Sequence, residues 1–138
     1  MNAGVHQLLR IITIQSKVCS GFVPNIPNKH MSSKYKLVIF VPVSHVEKVR
    51  EAIHAAGGGK MGNYSYCSFS SRGMGRFKPE KGARPTFGKI GKLEKIEEEK
   101  IEILCEKEIV RKVIKAMKKV HPYEKPAYDV YPLENLGE

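Results

Sequence analysis

Apolar positions fall into three kinds of spacing along this chain, and each predicts a different element. From Lys36 to Val41 (KLVIFV) they run almost unbroken and are rich in β-branched residues, the pattern of a short buried strand. Side chains alternate along a strand, so Leu37, Ile39 and Val41 share one face and Val38 and Phe40 the other. Apolar residues on both faces predict a central strand with cover on each side. After Ser44 the spacing becomes three and four: Val46, Val49, Ile53 and Ala56 share one face of a helix ending near Ala56. Ser44 as N-cap with Glu47 three residues on predicts a capping box, and Gly57 predicts the stop.

The segments Asn63 to Phe77 and Lys92 to Cys105 are expected as the two strands of a long hairpin. In the second, Ile101, Ile103 and Cys105 alternate with Lys100, Glu102 and Leu104. Between them lies Lys78-Pro79-Glu80-Lys81-Gly82-Ala83-Arg84-Pro85, and nine of the twelve glycines fall between Gly57 and Gly91. Such a stretch turns, bulges or lets another backbone approach. Glu106 to Val120 predicts a second helix, with Ile109, Val110, Val113, Ile114 and Met117 as its stripe. Its acids Glu106 and Glu108 precede its bases Lys115, Lys118 and Lys119, as the helix dipole favours. His121-Pro122 ends it, because a residue before proline resists the α conformation. Ala127 to Tyr131 reads as the last strand, closed by Pro132.

The order β-α-β-β-α-β is the split βαβ arrangement. The fold class is therefore α+β, ferredoxin-like, a four-stranded antiparallel sheet with two helices on one face and right-handed crossovers. No helix covers the other face, yet one apolar set of the first strand must point there. A second copy of the chain is the simplest cover; a modestly apolar exposed sheet is the alternative.

With 138 residues, 41% hydrophobic and 28% charged, the chain has the size and composition of one globular domain. Residues 34–135 carry the patterned elements. Residues 1–33 read as a tail, acid-free and mildly amphipathic (Val5, Leu8, Leu9, Ile12), and 136–138 as a short end. The tail is either a disordered extension or a mitochondrial transit peptide; Met31, just before the patterned sequence, is an alternative start. Cys19, Cys67 and Cys105 form no CxxC pair, which points to a reducing, cytoplasmic setting rather than a disulfide scaffold. No apolar run reaches the roughly 20 residues that span a bilayer.

A net charge of +10 is high for this size and suits a nucleic acid, an anionic ligand or a membrane surface. The first acid is Glu47, and from Arg72 to Lys92 Glu80 is the sole acid. Arg72, Arg76, Lys78, Arg84 and Lys89 in that stretch are candidates for a small anion or an acidic protein surface. Arginine grips phosphate or carboxylate with paired hydrogen bonds, and glycine exposes backbone N–H groups. A solvated hairpin meeting acids of a neighbouring subunit, such as Glu97, Glu98 and Glu99, explains the same charges. Tyr64, Tyr66, Phe69 and Phe77 offer stacking surfaces, but no RNP or KH signature accompanies them, so a nucleic-acid partner is not expected. Gly57-Gly58-Gly59-Lys60-Met61-Gly62 has the letters of a dinucleotide loop, but a helix precedes it and a strand follows, the reverse of what phosphate binding needs.

Longer stretches add a resemblance. Gly62-Asn63-Tyr64 with Cys67-Ser68-Phe69, Gly73-Met74-Gly75-Arg76-Phe77-Lys78-Pro79, Gly82-Ala83-Arg84-Pro85, Gly88, Gly91-Lys92-Leu93-Glu94, and His121-Pro122-Tyr123-Glu124-Lys125-Pro126-Ala127-Tyr128-Asp129-Val130-Tyr131-Pro132-Leu133 together resemble the domain inserted in YqfO-type Nif-three-like dinuclear-metal hexameric proteins. The likeness covers about residues 34–135. It implies a PII- and CutA-like fold and assembly through sheet faces, commonly as a homotrimer. In that family flanking domains hold two metals with a His-His pair, an Asp and a His-x-x-x-Glu arrangement. This chain has no adjacent histidines and no His-x-x-x-Glu, so no hydrolase activity, metal or cofactor is carried over.

Two further sites follow from the residues themselves. His121-Pro122-Tyr123-Glu124, with Tyr128, is expected as a structural or interface corner. The alternative is a small metal-binding or hydrolytic site built from His45, His54, His121 and Glu124. Cys67 and Cys105 have no activating base in sequence, so inert thiols are expected.

Overall fold

The computed structural model describes residues 33–134. Expectations about the N-terminal tail, Met31 and Cys19 lie outside the described residues. Six main elements follow in order: β1 (Lys34–Pro42), α1 (Val46–Ala55), β2 (Phe69–Phe77), β3 (Glu94–Glu106), α2 (Val110–Val120) and β4 (Tyr128–Pro132). A single 3-10 turn, Val43–His45, joins β1 to α1. The strands form one antiparallel sheet in the order β2-β3-β1-β4. Each helix therefore links two strands that are not neighbours, the ferredoxin-like arrangement.

Register places the core. Leu37 lies opposite Ile103 and Val130, and Ile39 opposite Ile101 and Tyr128. Leu37, Ile39, Val41, Ile101, Ile103 and Cys105 pack against Val49 and Ile53 of α1 and Val113 and Met117 of α2. Most of these are wholly inaccessible to solvent. Both helical stripes expected from the spacing are the faces that bury, with Ile109 and Ile114 at the margin.

α1 stops as expected. Gly57 has φ +102°, its N–H meets His54 O at 2.9 Å, and the Gly58 N–H meets Ile53 O at 2.9 Å, the paired bonds of a Schellman ending. Its start differs from the expected capping box. Val43–His45 tighten into the 3-10 turn, so His45 takes the N-cap position with no side-chain cap bond. Ser44 Oγ turns to His45 Nδ1 (2.8 Å), and Glu47 turns to Arg50 (3.4 Å).

Two other boundaries move. α2 begins at Val110 rather than Glu106, because Glu106 is still paired with Lys34 and the Lys107 N–H bonds to Ser33 O (2.8 Å). β-Pairing thus claims the acid that the dipole argument assigned to a helix start. β2 begins at Phe69 rather than Asn63. Residues 57–67 fold back instead, with the Gly59 N–H on Leu104 O (2.8 Å) and the Cys67 N–H on Gly59 O (2.9 Å). Gly59 has φ +72°, and a Cβ there would run into Cys67 O and the His54 ring.

The face away from the helices carries Val38 and Phe40 of β1, as the alternation requires. It also carries Glu98, Lys100 and Glu102 of β3 and Asp129 and Tyr131 of β4. It is not wholly bare: the 79–87 connection and the 121–127 corner roof its upper end and border a half-open cavity there. Among the described residues, no helix is long and apolar enough to cross a membrane.

Candidate functional site

The roof is held down by contacts that the sequence motifs did not reveal. Glu124 receives the Arg84 backbone N–H at 3.0 Å and its guanidinium at 3.6 Å. The Thr86 hydroxyl donates to Pro122 O, and the Gly91 N–H closes the connection on Pro79 O at 2.8 Å. Gly82 (φ +96°) and Gly88 (φ +84°) make the reversals this path needs.

His121 fixes the corner. Its Nε2 lies 2.9 Å from Phe40 O, which can only accept, so Nε2 carries the proton. Its Nδ1 accepts the Tyr123 N–H at 3.1 Å. Both nitrogens are used by the neutral ring, and burial holds its pKa below the usual histidine range, against opposing pulls from Phe40 O and Glu98. Tyr123 then donates its hydroxyl to Glu98 Oε1 at 2.7 Å. Burial, followed by the Glu98 bond, pushes the Tyr123 ionisation far up, so this phenol remains a donor.

The cavity measures about 350 Å³, within the range of small-molecule sites. Phe40, Phe77, Phe87 and Tyr123 supply its aromatic walls and Glu98 its inner charge. Tyr123 lies 6.0 Å from Phe77 and 5.9 Å from Phe87 between ring centroids. A shallower groove lined by Arg72, Met74 and Lys100 shares Phe40, Gly75 and Glu98 with it.

The five basic candidates do not converge on one point. Arg76 contributes to the cavity wall and Arg72 to the groove. Lys78 pairs with Glu80 at 3.3 Å and Arg84 with Glu124. The Lys89 backbone N–H is held by Glu94 at 3.0 Å. Of the three acids expected to meet a neighbour's cations, Glu99 is taken within the chain by Arg50 at 2.6 Å. Tyr128 packs on the core margin under Lys118 Nζ, 4.8 Å from its ring.

The alternative metal set does not assemble. His45 and His54 flank α1, separated by about 14 Å of helix. His54 is buried with Nδ1 2.8 Å from Gly58 O, its ring stacked on Tyr66 at 4.4 Å. Glu124 is occupied by Arg84. Among the described residues no three metal-ligating side chains come together. Cys105 is buried, and burial raises its thiol to about 11, which makes it an inert packing group.

A βαββαβ sheet with its helices on one face defines the class: this is a ferredoxin-like domain of the CutA kind. The periplasmic divalent cation tolerance protein CutA of Archaeoglobus fulgidus superposes with a TM-score of 0.54 at 17% identity, over 74% of this chain and 85% of that one. CutA1 of Pyrococcus horikoshii gives 0.56 at 16% identity, over 75% and 87%. These likenesses show the fold alone. Sequence identifies the domain more closely, as a homologue of one segment of the NIF3-related proteins. The Bacillus cereus protein related to NIF3 is 51% identical with a TM-score of 0.66, over 75% of this chain and 26% of that one. The protein called GTP cyclohydrolase 1 type 2 homolog is 58% identical over 106 residues in Halalkalibacterium halodurans and 48% over 99 residues in Bacillus subtilis. These matches cover 77% and 72% of this chain. The chain spans 28% and 26% of those relatives. No family model matches.

Proposed function

We propose that this domain is a self-associating binding module, in which copies of the chain cover the open sheet face and the basic β2 region receives an anion or an acidic surface. The observation that carries the reading is the composition of the open face. The rings of Phe69 on β2 and Tyr131 on β4 stand exposed on either side of β1, where Phe40 is half-buried and Val38 is already buried within the chain. Among them lie charges of both signs, with Lys36 and Lys100 bound to Glu102 at 3.3 and 2.6 Å. Apolar positions interleaved with both signs of charge suit a like surface better than a membrane or a polyanion. A trimer is the closed form expected from the family resemblance.

Light scattering on the full chain at micromolar concentration tests this. A multiple of the chain mass is expected, and Phe69→Glu should lower it; a strict monomer would remove the reading. The anion arm is separate. Arg72 and Arg76 stand exposed on β2, and tripolyphosphate binding measured by calorimetry should weaken in Arg72→Gln and Arg76→Gln. The cyclohydrolase activity in the relatives' name belongs to proteins of which this chain spans about a quarter and is not part of the proposal.

A further inference from the structure

We propose that the cavity between the 79–87 connection and the 121–127 corner is a socket for a guanidinium group on an alkyl stem, seated on Glu98 between the rings of Phe77, Phe87 and Tyr123. This goes beyond the self-association reading and does not rest on the anion arm.

Glu98 carries a charge that no ion pair among the described residues matches. Glu98 reaches into the cavity from β3. Oε1 accepts the Tyr123 hydroxyl at 2.7 Å, and a phenol that stays protonated brings no positive charge. The carboxylate lies flat over Gly75, where any Cβ would collide with it. No lysine or arginine among the described residues is ion-paired with Glu98. Lys100, its neighbour on the same face, is drawn the other way by Glu102. His121 has both nitrogens engaged. Arg76 lines the cavity too, but its position alternates to the helix side of β2 and it makes no ion pair with Glu98. Lys125 also lines the cavity but is exposed and makes no ion pair with Glu98.

A cavity-lining carboxylate with no ion-paired cation, walled by aromatic rings, selects its ligand. An anion is repelled, and a neutral apolar group strips water from Glu98 without replacing its hydrogen bonds. A guanidinium satisfies both features, because it is flat, weakly hydrated, stacks on aromatic faces and donates to a carboxylate. The 350 Å³ is about a dozen water volumes, enough for an arginine-sized group. That group can come from a free small molecule or from the exposed Arg72 or Arg76 of a second copy.

Calorimetry on the full chain with arginine amide, and with citrulline amide as the neutral isostere, decides. Saturable binding of arginine amide is expected, preferred over citrulline amide by at least about tenfold and lost by a similar factor in Glu98→Gln. Phe87→Leu, which keeps the apolar wall but removes the ring that stacks on a guanidinium, should weaken binding too, with the circular dichroism spectrum of the parent retained. If the parent chain takes up no arginine amide but the Arg72→Gln, Arg76→Gln double variant does, the socket is filled by a second copy's arginine. If neither chain prefers arginine amide over citrulline amide, the proposal is wrong. Light scattering is read separately, so a monomer that binds arginine amide keeps the socket and loses the assembly reading.

Discussion

Gly75→Ala tests whether the Glu98–Tyr123 contact is held in place by the missing side chain on β2. Gly75 lies opposite Ile96 in the ladder, and a Cβ there would occupy the space of the Glu98 carboxylate. Gly73, two residues earlier on the same face, has nothing within 4 Å of a built Cβ. Alanine in a strand interior is worth about 0.5–1 kcal/mol over glycine, and Gly73→Ala should show that gain alone. At position 75 the carboxylate gives way, because it is the end of a flexible side chain, and the Tyr123 hydroxyl loses its charged acceptor. A hydrogen bond to a charged group contributes about 1.5–3 kcal/mol. Gly75→Ala should therefore end about 1 kcal/mol less stable than the parent and about 2 kcal/mol less stable than Gly73→Ala.

Urea unfolding followed by far-ultraviolet circular dichroism measures the difference, since the chain has no tryptophan to report. Tyrosinate absorbance supplies a second reading. Burial and Glu98 together raise the Tyr123 ionisation; losing Glu98 should bring it down part of the way, with burial keeping the rest. Equal stabilities for the two alanine variants, with an unchanged tyrosine titration, would refute the argument.

Three further outcomes follow from other parts of the fold. Gly59→Ala must hold a left-handed φ and press a Cβ into Cys67 O and the His54 ring, so it should cost about 3 kcal/mol. Gly62→Ala, at φ +56° with open space around it, should cost only about 1–2 kcal/mol in the same urea series. Arg50 ties α1 to Ser68, Ser70 and Glu99, and Arg50→Ala should lose about 2 kcal/mol, with a double-mutant cycle against Glu99→Gln isolating the pair. For pH, the unfolded chain takes up a proton near 6.5 that folded His121 resists. Its stabilising share is fully present above that pH and fades as pH falls through the depressed folded value. Melting temperatures between pH 7 and 5 should fall less steeply in His121→Gln than in the parent.

The strands and helices were legible because their apolar spacing is simple and their burial agrees with it. Val46, Val49 and Ile53 needed only a period, and Leu37, Ile39 and Val41 only an alternation. Boundaries were lost where two local preferences compete. Glu106 suits a helix start, yet long-range pairing with Lys34 holds it in β3. Ser44 suits an N-cap, but the 3-10 turn rotates it toward His45. The cavity was half legible: the His121–Glu124 motif marked the corner, and the basic connection marked the roof. Glu98 as the inner charge was not singled out, because it sits in the run Glu97-Glu98-Glu99, where sequence alone cannot assign a face. The ladder separates them, turning Glu99 to Arg50 on the helix side and Glu98 to Tyr123 on the other.

That separation also ties the two proposed roles to one set of atoms. Phe40, Gly75 and Glu98 belong both to the cavity and to the open groove beside it. A second copy resting on the open face therefore presses on the residues that form the socket floor. Thermodynamic linkage then requires reciprocity: a ligand that orders Glu98 must shift association, and association must shift ligand affinity by the same factor. Measuring the association constant with and without saturating arginine amide, and the arginine amide affinity at low and high chain concentration, should give ratios that agree per socket, the assembly constant shifting by the affinity ratio raised to the number of copies. A binding constant indifferent to chain concentration would mean that copies meet elsewhere on the sheet, away from Phe40, and that the socket works alone.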